Sequence, residues 1–183
     1  MKRIILILIL GCLITVGFSQ TLQMTRSGQI SFFSKTPMEN IEAVNNEVTS
    51  LLDMGKGEIV FAVLIKGFHF DRALMEEHFN ENYMESTKFP KATFQGKITN
   101  TSKIDFTKDG TYEALVEGDL TIHGVKQRQT AAGTITIKAG KIAATSTFIV
   151  KLADYHVEIP SLVVEKISKT VEIKVSCQYE PKS

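Results

Sequence analysis

The chain has 183 residues, 43% hydrophobic and 22% charged, with 12 Gly, 4 Pro, 2 Cys and no Trp. That length fits one domain, since cores usually divide only beyond about 250–300 residues. Its composition excludes wholesale disorder and low-complexity structure, and a net charge of +1 lacks the basic excess that draws nucleic acid.

The first nineteen residues read as an export signal. Met1-Lys2-Arg3 is positive, and Ile4 to Phe18 is apolar, interrupted only by Gly11, Thr15 and Gly17. Gly17-Phe18-Ser19 then sets small residues on either side of Phe18, the pattern of a cleavage site before Gln20. The run falls short of the ~20 residues that cross a bilayer. It also continues past Cys12, where a lipoprotein signal would turn polar. The expectation is cleavage after Ser19, export to the periplasm and a single mature domain over 20–183. Cleavage removes Lys2 and Arg3 and no acid, so the net charge changes from +1 to −1. Cys177 is then the one remaining cysteine, which excludes an intramolecular disulfide.

From Gln20 onward the pattern is of strands separated by turn residues. Ile30 and Phe32 alternate in the segment 28–34, and 41–52 is expected to hold a strand and a short turn. The segment 58–70 is apolar on both faces, with Ile59, Phe61, Val63 and Ile65 against Val60, Ala62 and Leu64. Such a strand is expected to be covered on both sides. The covering helix is expected over 72–80, where Leu74, Met75, His78 and Phe79 form one stripe. A strand resumes over 92–106, with a turn near Asn100-Thr101-Ser102.

The next three strands form a meander. Tyr112, Ala114, Val116, Gly118, Leu120 and Ile122 share one face of the first, which starts after the turn Lys108-Asp109-Gly110 and ends at His123-Gly124. The second spans 127–138. Ala139-Gly140-Lys141 leads into the third over 142–152, where Ile142, Ala144, Phe148, Val150 and Leu152 point one way. A second short helix is expected over 161–168. The last strand alternates most cleanly, with Val171, Ile173, Val175, Cys177 and Tyr179 on its apolar face.

About eight strands result, several far longer than the usual ~5–6 residues. Long sequential antiparallel strands favour an all-β, eight-stranded, closed antiparallel barrel with one or two short helices, which leaves no exposed edge. A two-sheet sandwich is the structural alternative. A barrel of eight strands is just wide enough to be filled by side chains or to hold one small ligand.

Four segments carry a family resemblance. They are Phe68-His69-Phe70-Asp71 with the run Leu74 to Met84, then Lys88-Phe89-Pro90-Lys91-Ala92-Thr93-Phe94. Leu120-Thr121-Ile122-His123-Gly124-Val125 follows, and then Leu152-Ala153-Asp154-Tyr155 with Ile159-Pro160. In this order across roughly 28–179 the chain resembles the YceI-like family of secreted lipid- and polyisoprenoid-binding proteins. The resemblance implies an extended, lipocalin-like barrel with a helix packed at one side and an apolar tunnel for a long isoprenoid chain. Departures are Gln127-Arg128-Gln129, where many relatives have Thr, Lys and Pro, and Arg72-Ala73-Leu74, where many have a His-Leu-Arg type run. A homodimer and transient membrane contact are compatible with the resemblance.

The cavity lining expected on this reading is Ile30, Phe32, Phe61, Val63, Phe70, Phe79, Met84, Phe94, Val116, Leu120, Phe148 and Val150. Ligand pockets are typically lined this way, with few polar groups to fix orientation. Gly118 and Ala144 remove side-chain volume among larger neighbours and are expected to leave space. Phe68, Phe70, Phe79, Met84 and Phe89 are expected to form either a lid or a plug at one barrel end. The alternative is a filled barrel with no ligand, acting as a structural or interaction protein.

Catalytic and metal-binding patterns are missing. His69, His78, His123 and His156 include no pair at metal-ligand spacing on a helix, and no Gly-x-Ser-x-Gly elbow, P-loop or dinucleotide fingerprint occurs. Adjacent Glu76 and Glu77 diverge on a helix, and His78 is expected to be packed on its face. Cys177 falls on a buried strand face and is expected to be inert. No enzyme activity, cofactor or metal is expected. The partner expected is an isoprenoid-like or other lipid.

Overall fold

Two tight turns show how local sequence sets the topology. His123 and Gly124 take φ values of 51° and 74°, and Ala139 and Gly140 take 49° and 74°. Two consecutive left-handed residues make the turn whose twist matches that of paired strands, and glycine adopts the second position without steric cost. Each turn therefore closes a two-residue hairpin within the meander predicted above.

The computed structural model describes residues 21–182. The expected export signal over 1–19 lies outside them. The strands are β1 (Leu22–Lys35), β2 (Asn40–Asp53), β3 (Glu58–Leu64), β4 (His69–Phe70), β5 (Lys91–Ile98), β6 (Gly110–Ile122), β7 (Val125–Lys138), β8 (Lys141–Lys151) and β9 (Thr170–Pro181). Eight of them follow one another around a closed antiparallel barrel, because β1 pairs with both β2 and β9. The two-residue β4 adds to β2 beyond the end of β3. The sole α-helix among the described residues, α1 (Ala73–His78), continues as a wider π-helical turn over Phe79–Tyr83.

The two barrel ends differ in their connections. At one end the β2–β3 and β7–β8 links are short, the β5–β6 link folds over the opening, and Leu52, Ile59, Ile104, Ile135, Ile137, Ile142 and Tyr179 pack into a solid floor. At the other, the long segments joining β3 to β5 and β8 to β9 emerge together with the β1–β2 and β6–β7 turns. The outer wall is charged. Arg128 donates to Glu117 and, at 3.2 Å, to Asp119, while Lys174 pairs with Glu172 at 3.2 Å and Lys97 with Glu58 at 3.8 Å. A barrel spanning a membrane would show an apolar band there instead.

Several expected elements are corrected. The segment 41–52 is one uninterrupted strand rather than a strand and a turn. Its alternation is broken where β3 departs from it. There the fully buried Asn45 donates from Nδ2 to Leu64 O at 2.8 Å, and its Oδ1 accepts from Glu47 N at 2.8 Å. An amide side chain thus supplies hydrogen bonds that the ladder lacks. The strand expected over 92–106 stops at Ile98. The second helix over 161–168 is only a short 3-10 turn, Ser161–Val163. Helix α1 does not cover β3, whose Val60 and Leu64 stay 36% and 45% exposed. It lies at the open end, where its apolar stripe contributes to the lining described next.

Candidate functional site

The barrel interior is not filled. Above the floor lies an inner chamber of about 110 Å³ lined by Phe61, Phe94, Val116, Ala144 and Val175 among others. An upper chamber of about 450 Å³ follows, lined by Phe32, Phe68, Phe70, Phe79, Val150 and Ile173 among others. Ile30, Val63, Ala92, Leu120 and Phe148 line both, so the two adjoin at that ring. The upper chamber opens to solvent, since its lining includes the exposed Leu74, His78 and Lys166.

The structure places the twelve residues named for the lining on the walls of these chambers. Phe61, Phe94 and Val116 face the inner chamber; Phe32, Phe70, Phe79, Met84 and Val150 face the upper one; Ile30, Val63, Leu120 and Phe148 face both. Alternation explains this, because each sits at an inward position of its strand or on the segment that caps the open end. Four rings gather there: Phe32 stacks on Phe79 at 5.4 Å, Phe68 approaches Phe79 at 5.8 Å, and Phe70 approaches Phe79 at 5.1 Å. Such offset and edge contacts add about 0.5–1.5 kcal/mol each to burial, so the cap is a packed structure. Phe89 is not part of it. Its ring instead packs 4.6 Å from His123 and against Gly124, outside the chambers.

Other expectations change. The volume that Gly118 gives up is not open space, since a Cβ there would lie 2.6 Å from Phe94 Cζ. His78 is exposed at the mouth rather than packed. His123 is structural: its Nε2 lies 2.9 Å from Glu85 Oε2 and its Nδ1 3.3 Å from Tyr155 O. That hydrogen bond is the chief reason the Glu85 carboxyl titrates below its ordinary range.

Polar groups concentrate at the mouth. Arg72 donates to Glu39, and Lys166, His78 and Tyr83 lie along the same opening. Burial raises the Tyr83 and Tyr155 hydroxyls above their ordinary values, keeping both neutral at physiological pH. Far below, Cys177 is 1% exposed, and burial pushes its thiol up to about 11. A thiolate nucleophile is therefore not available there at neutral pH. Among the described residues no three His, Cys, Asp or Glu side chains gather as metal ligands.

Part of the lining lies beyond the residues named from the sequence. Ile173 and Val175 belong to the clean alternation of β9 and also face the chambers, while the irregular β2 pattern hides Ile41. Tyr155, Val157 and Ile167 sit in the β8–β9 connection, which has no periodicity to read.

A closed eight-stranded barrel with a solid floor and an apolar chamber open at one end defines a class of protein built to enclose a hydrophobic guest. Within that class, the sequence matches the YceI-like domain over residues 16–179, and the chain belongs to that family. A polyisoprenoid binding domain from Saccharophagus degradans, implicated in plant cell wall breakdown, superposes with a TM-score of 0.77 at 15% identity, covering 89% of this chain and 99% of the other. Burkholderia cenocepacia BcnA gives 0.70 at 17% identity, covering 84% and 96%. A Campylobacter jejuni YCEI protein gives 0.60 at 16% identity, covering 75% and 84%. At these identities the likeness establishes the fold. No curated protein matches the chain.

Proposed function

We propose that this protein is exported to the periplasm and there holds an amphiphilic polyisoprenoid or similar lipid, for transport or storage. The tail occupies the two chambers and the head group stays at the polar mouth. Binding is non-covalent and involves no turnover. The observation that carries this reading is the pair of adjoining, predominantly apolar chambers with charged groups confined to the open end. Each Å² of tail removed from water contributes about 25 cal/mol, so a long hydrocarbon gains more than a compact one. Family membership and the polyisoprenoid binding domain from Saccharophagus degradans support the choice of ligand class.

The rim suggests where the ligand is collected. Leu162, Met38, Leu74 and Val164 are 93%, 65%, 60% and 45% exposed, and all lie on segments that border the mouth. Exposed apolar side chains grouped around an opening suit brief contact with a lipid surface. Extraction of the protein from its native host with organic solvent, followed by mass spectrometry, tests the proposal. An amphiphile with an isoprenoid or acyl tail is expected, in reduced amount from Phe61→Ala. A lipid-free extract from folded protein that also takes up no added lipid overturns it.

A further inference from the structure

We infer that the distal halves of β7 and β8 frame a lateral slot through which the ligand's tail enters and leaves the barrel. The inference rests on the lipid-holding reading above. Strand β7 pairs with β6 along its whole length, from Gly110↔Ile137 to Ile122↔Val125. Strand β8 pairs with β9 just as fully, from Ile142↔Tyr179 to Lys151↔Thr170. Between β7 and β8, however, the ladder stops at Gly133↔Ser146. Beyond that point, 125–132 and 147–151 each have a strand partner on one side only. Two internal edges therefore face each other between β7 and β8.

This gap is not a frayed sheet, because its edge and both ends are held by side chains. On β7 the Ala132 carbonyl accepts from Ser146 Oγ at 2.7 Å, and the Thr130 carbonyl accepts from Gln129 Nε2 at 2.7 Å. Residues two apart in a strand direct their carbonyls to the same side, so these bonds occupy oxygens that a β8 ladder would otherwise use. At the far end, Gln127 Nε2 donates to Asp154 O at 2.9 Å, and His123 Nδ1 lies 3.3 Å from Tyr155 O. These contacts tie the β6–β7 turn to the segment after β8. Unpaired edges normally recruit another strand; here side chains satisfy part of that demand.

The slot leads inward. Gln129, Ala131, Gly133 and Ser146 beside it line the inner chamber, as does Phe148 across from it. The inward positions on the β7 side are small or flexible, leaving passage for a hydrocarbon chain. Outside, Ile149 on the β8 edge is 53% exposed, and Leu115, one strand away on β6 beside Ala132, is 43% exposed. An apolar side chain thus stands at the outer opening with a second close by. A tail that passes sideways reaches the inner chamber without threading between the packed rings of Phe32, Phe68, Phe70 and Phe79.

Bridging the slot tests this. In Thr130→Cys/Ile149→Cys, a cleavable bis-maleimide crosslinker joins the edges, while buried Cys177 stays unreacted. Uptake of the fluorescent polyene cis-parinaric acid is followed before crosslinking, after it, and after cleavage with dithiothreitol. The slot predicts uptake about ten-fold slower in the crosslinked form, as from a barrier raised by about 1.4 kcal/mol. Cleavage should restore the rate, with equilibrium affinity unchanged. Equal rates in all three states overturn the slot but leave lipid binding intact. Unmodified protein that binds no probe overturns both. Hydrogen exchange on the unmodified chain reads the opening directly: 125–132 should exchange faster than 133–138, and bound probe should protect it. Equal protection of the two segments also overturns the slot.

Discussion

The ring of Phe94 lies against Gly118, occupying the place where a side chain on β6 would stand: a Cβ on Gly118 would fall 2.6 Å from Phe94 Cζ. Gly118 is paired with Gly96, where an added Cβ would also meet Phe94 at 2.6 Å. The two glycines form a bare patch of wall that seats the ring and so shapes the inner chamber. In Gly118→Ala the new methyl would also lie 2.4 Å from Gln95 O and 2.5 Å from Gly96 Cα, both backbone atoms. Overpacking of this kind costs about 1–3 kcal/mol. Urea denaturation should show that loss, and adding Phe94→Leu should recover only part of it because the backbone clashes remain.

Ala92 is the smallest side chain on the ring shared by the two chambers. Replacing it with Phe puts an aromatic side chain at the junction and leaves the upper chamber's other lining in place. Titrations should show unchanged affinity for a short prenyl alcohol, which the upper chamber holds alone. Affinity for a long one should fall about ten-fold, or about 1.4 kcal/mol. Equal losses for both lengths would count against a continuous tail site.

The legible and illegible parts of this molecule divide along the range of the interactions that set them. Alternation in β6, β8 and β9 depends on one strand having one wet and one dry side, so Val116, Leu120, Phe148 and Val150 were correctly turned inward. The turn at His123-Gly124 was also legible, because its backbone requirement is local. Asn45 was not, since its polar side chain at a buried position makes sense only beside Leu64 O, nineteen residues away. The filling of the Gly118 space depends on Phe94 from a neighbouring strand. The end of the β7–β8 ladder is likewise a matter of register between strands, which no single strand's pattern records. Apolar Val60 and Leu64 suggested a covering helix, but that helix caps the mouth and leaves them exposed.

Stability should fall on the alkaline side for a reason located in the floor. Burial raises the Cys177 thiol from 9.0 to about 11 and raises the Tyr179 hydroxyl further above its ordinary value, despite its 2.7 Å hydrogen bond with Ser50. Both groups are neutral in the folded chain at pH values where the unfolded chain has begun to lose their protons. The Cys177 contribution is complete below about pH 9 and is lost as pH rises through about 11, and that of Tyr179 begins to fall above its ordinary value and persists to higher pH. Unfolding midpoints measured from pH 8 to 11 should therefore decline, and more gently in Cys177→Ala. A thiol reagent at pH 8 should label Cys177 only after denaturation.

On the acid side the relevant pair is Glu85 and His123. The hydrogen bond from His123, with Lys88 nearby, lowers the Glu85 pKa below its ordinary 4.5. A carboxylate shifted in this direction stabilises the fold above its unfolded pKa and loses that contribution as pH falls through the folded one. Glu85→Gln should lower the unfolding midpoint at neutral pH and flatten its decline between pH 5 and 3, so that the variant and the parent chain converge in acid. An unchanged acid profile would show that the His123 contact does not contribute to stability.

The rim makes the last prediction. Leu162 and Met38 are almost free of packing, so replacing both with Ser should change unfolding midpoints by no more than about 0.5 kcal/mol. If the mouth meets a bilayer to collect its ligand, the same double variant should bind phospholipid vesicles more weakly in flotation assays. It should also extract a labelled prenyl lipid from them more slowly, while its affinity for that lipid delivered in detergent stays constant. A loss in both delivery modes would place Leu162 and Met38 in the binding cavity itself. Unchanged extraction from vesicles would mean that the ligand reaches the mouth through water or from another protein, and the exposed rim would then need a different partner.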